Sequence, residues 1–218
     1  MINTQKPEGQ IDSPLLEVNH IFETIQGEGP YAGWPSTFIR LAGCNLQCHW
    51  CDTEYTGRMI MSIEDILSHV KGHKLVVITG GEPLRQKIAL LIEALHTKGH
   101  LVQIETNGTI YDEDVTYSGA TIIVSPKTKN VDKRYFLCDN THKSNIKFKM
   151  LFGPAFPSQP DNKGGNPWDN IKINYDYVMP LDTGNPRSNA VINHDAVEYC
   201  LKTGTKLTIQ QHKYLNIE

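Results

Sequence analysis

Three of the chain's five cysteines, Cys44, Cys48 and Cys51, fall within eight positions at Cys-x3-Cys-x2-Cys spacing. A loop this short can fold three sulfurs around one centre, so metal or cluster ligation is the chemistry they suggest. Zinc would want a fourth donor, and His49 lies inside the same turn, where it would have difficulty completing a tetrahedron. An iron–sulfur cube with three cysteine ligands fits better, because its fourth iron stays open to a substrate or cofactor. Five cysteines are also too few, and odd in number, for a secreted disulfide scaffold.

Further candidate groups follow β-rich runs. Thr79-Gly80-Gly81-Glu82-Pro83 comes after Leu75 to Ile78, where glycines let backbone N–H groups approach a charged ligand closely. Glu105-Thr106-Asn107-Gly108 and Ser125-Pro126-Lys127 close the next two runs with hydroxyl, amide and cationic groups. Each taken singly is also ordinary turn chemistry. On successive strand ends they converge on one site. Other candidates carry less. His69 with His73 and His96 with His100 straddle glycines at helix ends, where histidine suits the negative pole of the helix dipole better than a metal. Cys138 is isolated, Cys200 falls in an apolar helical pattern, and Trp34 and Trp168 read as packing or loop residues.

The elements that must position these groups are short and regular. Val18 to Ile25, Thr37 to Leu41, Leu75 to Thr79, Leu101 to Glu105, Thr121 to Val124, Ile146 to Leu151, Tyr175 to Met179 and Leu207 to Gln210 are Val/Ile-rich, as strands buried on both faces should be. Helices are expected from the capping box Ser62-Ile63-Glu64-Asp65 to about Val70, over Gln86 to Lys98, and over Ala190 to Lys202, the last two ended by Gly99 and Gly204. The alternation argues for a parallel α/β fold, and six to eight strands favour an incomplete (β/α) barrel over a small flavodoxin-like sheet. Residues 1–218 read as one domain, with a Pro/Gly-rich surface loop over residues 153–170.

Composition excludes several classes. Of 218 residues, 39% are apolar and 21% charged, which suits a folded globule and argues against disorder or collagen. A net charge of −3 leaves no cation excess to neutralise many phosphates, so nucleic-acid binding is not expected. No run is apolar for the roughly 18–20 residues a bilayer needs, and Met1 to Ser13 lacks a signal peptide's apolar core, so a cytoplasmic protein without membrane contact is expected.

The cysteine spacing, with Trp50 just before the last cysteine, resembles the signature of the radical S-adenosylmethionine (SAM) superfamily. Ile25-Gln26-Gly27-Glu28-Gly29 with Arg40, Cys51-Asp52-Thr53, and the run Gln211 to Glu218 resemble more narrowly its 7-carboxy-7-deazaguanine synthase family, of the queuosine and 7-deazapurine pathway. The likeness covers almost the whole chain and thins from Lys129 to Asn174. It implies a radical SAM fold and a [4Fe–4S] cluster on Cys44, Cys48 and Cys51, with no side-chain nucleophile. SAM would be a regenerated cofactor held by Trp50, Gly81, Ser125, Pro126, Lys127 and the segment Met179, Pro180, Leu181 and Asp182; the family usually has Gln where this chain has Met179. It implies a pterin substrate, 6-carboxy-5,6,7,8-tetrahydropterin, bound by Ile25, Gln26, Gly27, Arg40, Thr79 and Glu218, and Mg²⁺ on Thr53; His212, on the run that follows the last expected strand, is expected to join them at the barrel mouth. It also implies an electron donor such as flavodoxin or ferredoxin, and a homodimer. Two rivals share part of the pattern. A glycyl-radical activase would have the cysteine loop without the Gln-Gly-Glu-Gly motif, and a zinc-binding interaction module would bind zinc and leave SAM intact.

Overall fold

The structure is a computed structural model and describes residues 4–128, 130–137, 145–153 and 173–217. Nine strands make one sheet: β1 (Leu16–Ile25), β2 (Pro35–Leu41), β3 (Met59–Met61), β4 (Leu75–Gly80), β5 (Leu101–Thr106), β6 (Thr121–Val124), β7 (Ile146–Phe152), β8 (Tyr177–Pro180) and β9 (Lys206–Leu207). Their order is β3-β1-β2-β4-β5-β6-β7-β8-β9, and every pair from β2 to β9 is parallel. The sheet runs open from β3 to β9. This is the incomplete barrel the alternation called for. The parallel expectation fails only at the first edge, where β1 pairs antiparallel with both β2 and β3. β1 is there only partly buried, unlike the strands covered on both faces.

The helices are α1 (Ile63–His69), α2 (Ala89–Thr97), α3 (Glu113–Thr116), α4 (Arg134–Leu137), α5 (Pro186–Thr203) and α6 (Gln211–Leu215). The capping box of α1 is reciprocal: Asp65 N donates to Ser62 Oγ at 3.1 Å and Ser62 N to Asp65 Oδ2 at 3.2 Å. Helix α2 starts at Ala89 rather than Gln86, because a 3-10 turn, Pro83–Arg85, intervenes. Helix α5 starts a turn earlier than its apolar pattern indicated, since Asn185 caps Arg187 N and Ser188 N and Pro186 fills the first turn. Of the run Leu207 to Gln210, only Leu207 is strand. β3, α3, α4 and α6 are too short to leave a periodic signal. Of the loop expected over 153–170, all but Gly153 lies outside the described residues.

Strand alternation divides the sheet into two chemically different faces. Ile39, Leu41, Val76, Ile78, Val102, Ile104, Ile122 and Val124 pack outward with Ile66, Leu91, Ile92 and Leu95 of α1 and α2 in the main core. The residues between them, including Arg40, Thr79, Glu105 and Lys149, face inward onto a cavity. A smaller core of Met150, Phe152 and Val178 seats Ile192 and Ala196 of α5.

Candidate active site

The cavity measures about 470 Å³ and lies where the parallel strands end. In α/β barrels and doubly wound sheets this is the end that collects ligands. Cys44, Cys48 and Cys51 all line it, on the loop that follows β2. Burial holds the Cys44 thiol up to about 12 and the Cys48 thiol up to about 11, and raises Cys51 as well. A bound cation would be needed to draw those protons off. Among the described residues no three His, Cys, Asp or Glu side chains are grouped to hold a single ion. Three soft sulfurs spaced around a roomy cavity suit a body larger than one zinc ion.

The Gly80-Gly81 turn is built for close approach, though to protein rather than to ligand. A Cβ at Gly81 would fall on the Gly43 carbonyl and 2.8 Å from Cys44 Cβ. Its N–H is given to Leu41 O at 3.3 Å, and that of Glu82 to Gly43 O at 3.0 Å. The expectation of ligand-facing N–H groups there is therefore corrected: these glycines press β4 against the root of the cysteine loop. Glu82 is fully buried, as a structural residue should be, and accepts from Leu84 N, Thr106 Oγ1 and Asn107 N. Burial lifts its carboxyl to about 7, against the pull of those donors. From Asn107 the network runs on to Asn45 in the cysteine loop at 2.9 Å, so the ends of β4 and β5 fix that loop from below.

Most of the expected site residues meet here. Gln26, Arg40, Trp50, Thr53, Thr79, Gly81, Ser125, Lys127, Met179, Leu181 and His212 line the same cavity as the cysteines. Gln26 is buried; its Oε1 accepts from Glu28 N at 3.1 Å, and its Nε2 has no partner among the described residues. The Arg40 guanidinium lies 5.0 Å over the Phe22 ring, and no ion pair with Arg40 forms among the described residues. Lys127 Nζ donates to Ser125 Oγ at 2.7 Å, and burial lowers its pKa. Burial likewise lowers that of His212. The Thr53 hydroxyl donates to Asp52 Oδ1 at 3.5 Å.

Others stand apart. Ile25 ends β1 opposite Pro35, and Pro126 is buried outside the cavity lining. A Cβ at Gly27 would meet Gln211 N at 2.9 Å and His212 Nδ1 at 3.2 Å, so this glycine lets α6 close down on the loop after β1. Pro180 and Asp182 line an adjoining cavity of about 380 Å³ that shares Leu181, Gln210 and Lys213 with the first. Glu218, Cys138 and Trp168 lie outside the described residues. Glu105 belongs to the strand-end clusters expected to converge here, whereas the sequence marks neither Lys149 as a site group nor a role for Glu28, although all three face the cavity. Glu28 had a signal, since it sits inside the Gln-Gly-Glu-Gly motif. Lys149, deep in an apolar run, had none.

A nine-stranded sheet open at both edges, with three cysteines at the strand ends, is the arrangement of a radical SAM protein. The Radical SAM superfamily profile matches residues 38–117, which include the cysteine loop and the Gly80-Gly81 turn. The chain is 39% identical to the 7-carboxy-7-deazaguanine synthase of Rickettsia prowazekii, over 95% of this chain and 91% of that one. It is 34% identical to the enzyme of that name from Rhodospirillum rubrum, over 94% of each. The chain belongs to the 7-carboxy-7-deazaguanine synthase family of radical SAM enzymes. In fold it is similar to the crystal structure of QueE from Escherichia coli, with a TM-score of 0.64, 24% identity, and coverage of 90% of this chain and 94% of that one. The family implies a [4Fe–4S] cluster and SAM. Among the described residues no helix is long and apolar enough to cross a membrane.

Proposed function

We propose that the chain converts 6-carboxy-5,6,7,8-tetrahydropterin to 7-carboxy-7-deazaguanine with loss of ammonia, by hydrogen abstraction at C6 and radical ring contraction. The observation that carries this reading is the meeting, in one cavity, of three cysteines with an Arg40 guanidinium and a Gln26 Nε2 that have no ion-pair or hydrogen-bond partner among the described residues. Cys44, Cys48 and Cys51 would hold the cluster, which when bound supplies the electron that cleaves SAM to methionine and a 5′-deoxyadenosyl radical. The protein's share is to bind, orient and exclude water.

Arg40 offers the substrate carboxylate a charge-assisted pair, and Gln26 Nε2 offers a donor to a pterin carbonyl. Thr79 and His212 line the same space, together with Lys213 of α6 and Ile217. Thr53, with the Asp52 carboxylate beside it, presents hard oxygen to Mg²⁺. Trp50, Ser125, Lys127, Met179 and Leu181 would bind SAM, with Gly81 offering it backbone surface but no free N–H, and with Pro180 and Asp182 at the edge of the adjoining cavity. Met179 can give only backbone polar contacts there. In this reading the chain acts as one radical SAM domain, in the cytoplasm and as a homodimer. It draws its electron from a small redox protein such as flavodoxin or ferredoxin, and needs no nucleic acid.

The test is anaerobic reconstitution with iron and sulfide, then reductant, SAM, Mg²⁺ and carboxytetrahydropterin, with mass spectrometry for the deazaguanine. Product is expected from the native chain and from Cys200→Ser, and none from Cys48→Ala. SAM cleavage without deazaguanine would remove the pterin, and full turnover by Cys48→Ala would remove the cluster assignment.

A further inference from the structure

One group of charges in the cavity wall has no part in the roles given so far. Lys149, on β7, is 4% exposed, and its Nζ donates to Glu28 Oε2 at 2.5 Å and to Glu105 Oε2 at 2.9 Å. The three come from separate places: the loop after β1, β5 and β7. The second oxygen of Glu105 accepts from the fully buried Gln103 at 2.7 Å. Two carboxylates with one cation between them give the trio more acid than base, although burial works against the Glu105 charge and the Lys127 side chain stands near enough to interact with all three. Burial works against the Lys149 charge, yet Glu105 and Glu28 together hold it well above the ordinary lysine value. Without that ammonium the two acids would repel, and one would take up a proton or turn away.

The position of this trio gives it a use. Arg40 stands on β2, and β4 separates that strand from the strand of Glu105. The cavity thus has a cationic station and an anionic one on different strands. Carboxytetrahydropterin is charged in the matching sense: a carboxylate at C6, and at the far end an aminopyrimidinone edge whose exocyclic amine and ring N–H are adjacent donors. Glu28 Oε1 has no hydrogen-bond partner among the described residues and is left for such a donor. We propose that Lys149 is a specificity-determining positioning residue, which holds Glu28 and Glu105 together as the acceptor pair that reads the 2-amino edge of the substrate. The inference rests on the pterin reading above. It adds the end of the molecule that is selected and the residue that makes the selection possible.

A site built to accept from a 2-amino group discriminates against an analogue with oxygen there, because acceptor would face acceptor. The experiment measures anaerobic equilibrium dialysis of reconstituted, SAM-loaded protein against two unreactive ligands, pterin-6-carboxylate and its 2-oxo counterpart lumazine-6-carboxylate. The native protein should prefer the pterin by roughly tenfold or more, Lys149→Met should reduce the ratio to below about threefold, and Lys149→Arg should restore part of it. A purely structural Lys149 would weaken both ligands alike and leave the ratio intact, which overturns the proposal. So does a native protein that binds both equally. Should Lys149→Met yield no folded protein, the isosteric Glu105→Gln reads the same ratio, and its persistence there also overturns the proposal. Failure of the native protein to bind either ligand is a different result: it removes the pterin reading itself.

Discussion

Gly81 has no room for a side chain. Its Cα hydrogen position points at the Gly43 carbonyl carbon, which a Cβ would approach to 2.5 Å, and that neighbour is backbone that cannot swing aside. Gly80 beside it holds a φ of +139°, a region that side-chain-bearing residues rarely adopt. Gly81→Ala should therefore push the cysteine loop away from β4, costing about 1–3 kcal/mol of stability and lowering iron content after reconstitution. Gly72→Ala, where nothing lies within 4 Å of the added carbon, is the control and should change neither. Normal iron content in Gly81→Ala would show that the loop does not depend on this contact. At this scale the sequence was most legible where the chemistry is contiguous. The cysteines announce themselves by spacing, and Gly-Gly by its place after a strand. The Glu105–Lys149 and Glu28–Lys149 pairs join residues 44 and 121 positions apart, and no local pattern can report a contact of that kind.

Among the elements, α6 shows what a five-residue helix can do when its ends are tied. Lys213 Nζ reaches Asp52 Oδ2, next to the last cluster cysteine, at 2.5 Å and Asp182 Oδ2, beyond β8, at 3.2 Å. His212 and Ile217 then face the cavity. The helical turns of α6 leave Leu215 59% exposed. Half-exposed ion pairs contribute about 0.2–1 kcal/mol, so Lys213→Met should raise the KM for carboxytetrahydropterin by less than about fivefold, with cluster content unchanged. The difference from the native enzyme should shrink in 1 M salt, where the Debye length is about 3 Å. A KM equal to the native value at low salt would sink the latch.

On the scale of the whole molecule, both ends of the described chain come to the cysteine loop. The fold class was legible because strand and helix periods alternate along most of the sequence. The N-terminal arm was not, since a polar stretch without period says only what it lacks. In the structure Glu8 N donates to Cys44 O at 2.7 Å and Ile11 N to Arg85 O at 2.7 Å, while Gln5 bridges Thr53 O and Tyr55 N. Arg85, 1% exposed, anchors the arm. Its guanidinium donates to Glu8 Oε2 at 2.8 Å, Glu17 Oε2 at 2.9 Å and Gly9 O at 3.0 Å, and it fills the space that a side chain at Gly43 would need. Arg58 touches the same two acids from outside. Arg85→Met keeps the bulk but leaves Glu8 and Glu17 to Arg58 alone and strips the Gly9 carbonyl of its donor. Removing one partner of a buried pair costs about 3–5 kcal/mol, and the remaining arginine should keep the loss near the lower figure. For a chain of this length that is a fall in Tm of roughly 6–12 °C. If the arm fixes the loop, the variant should also lose its cluster faster in air than the native protein does. A Tm within about 2 °C of native would show that Arg85 is dispensable, and a lowered Tm with unchanged cluster lifetime would confine its role to the core.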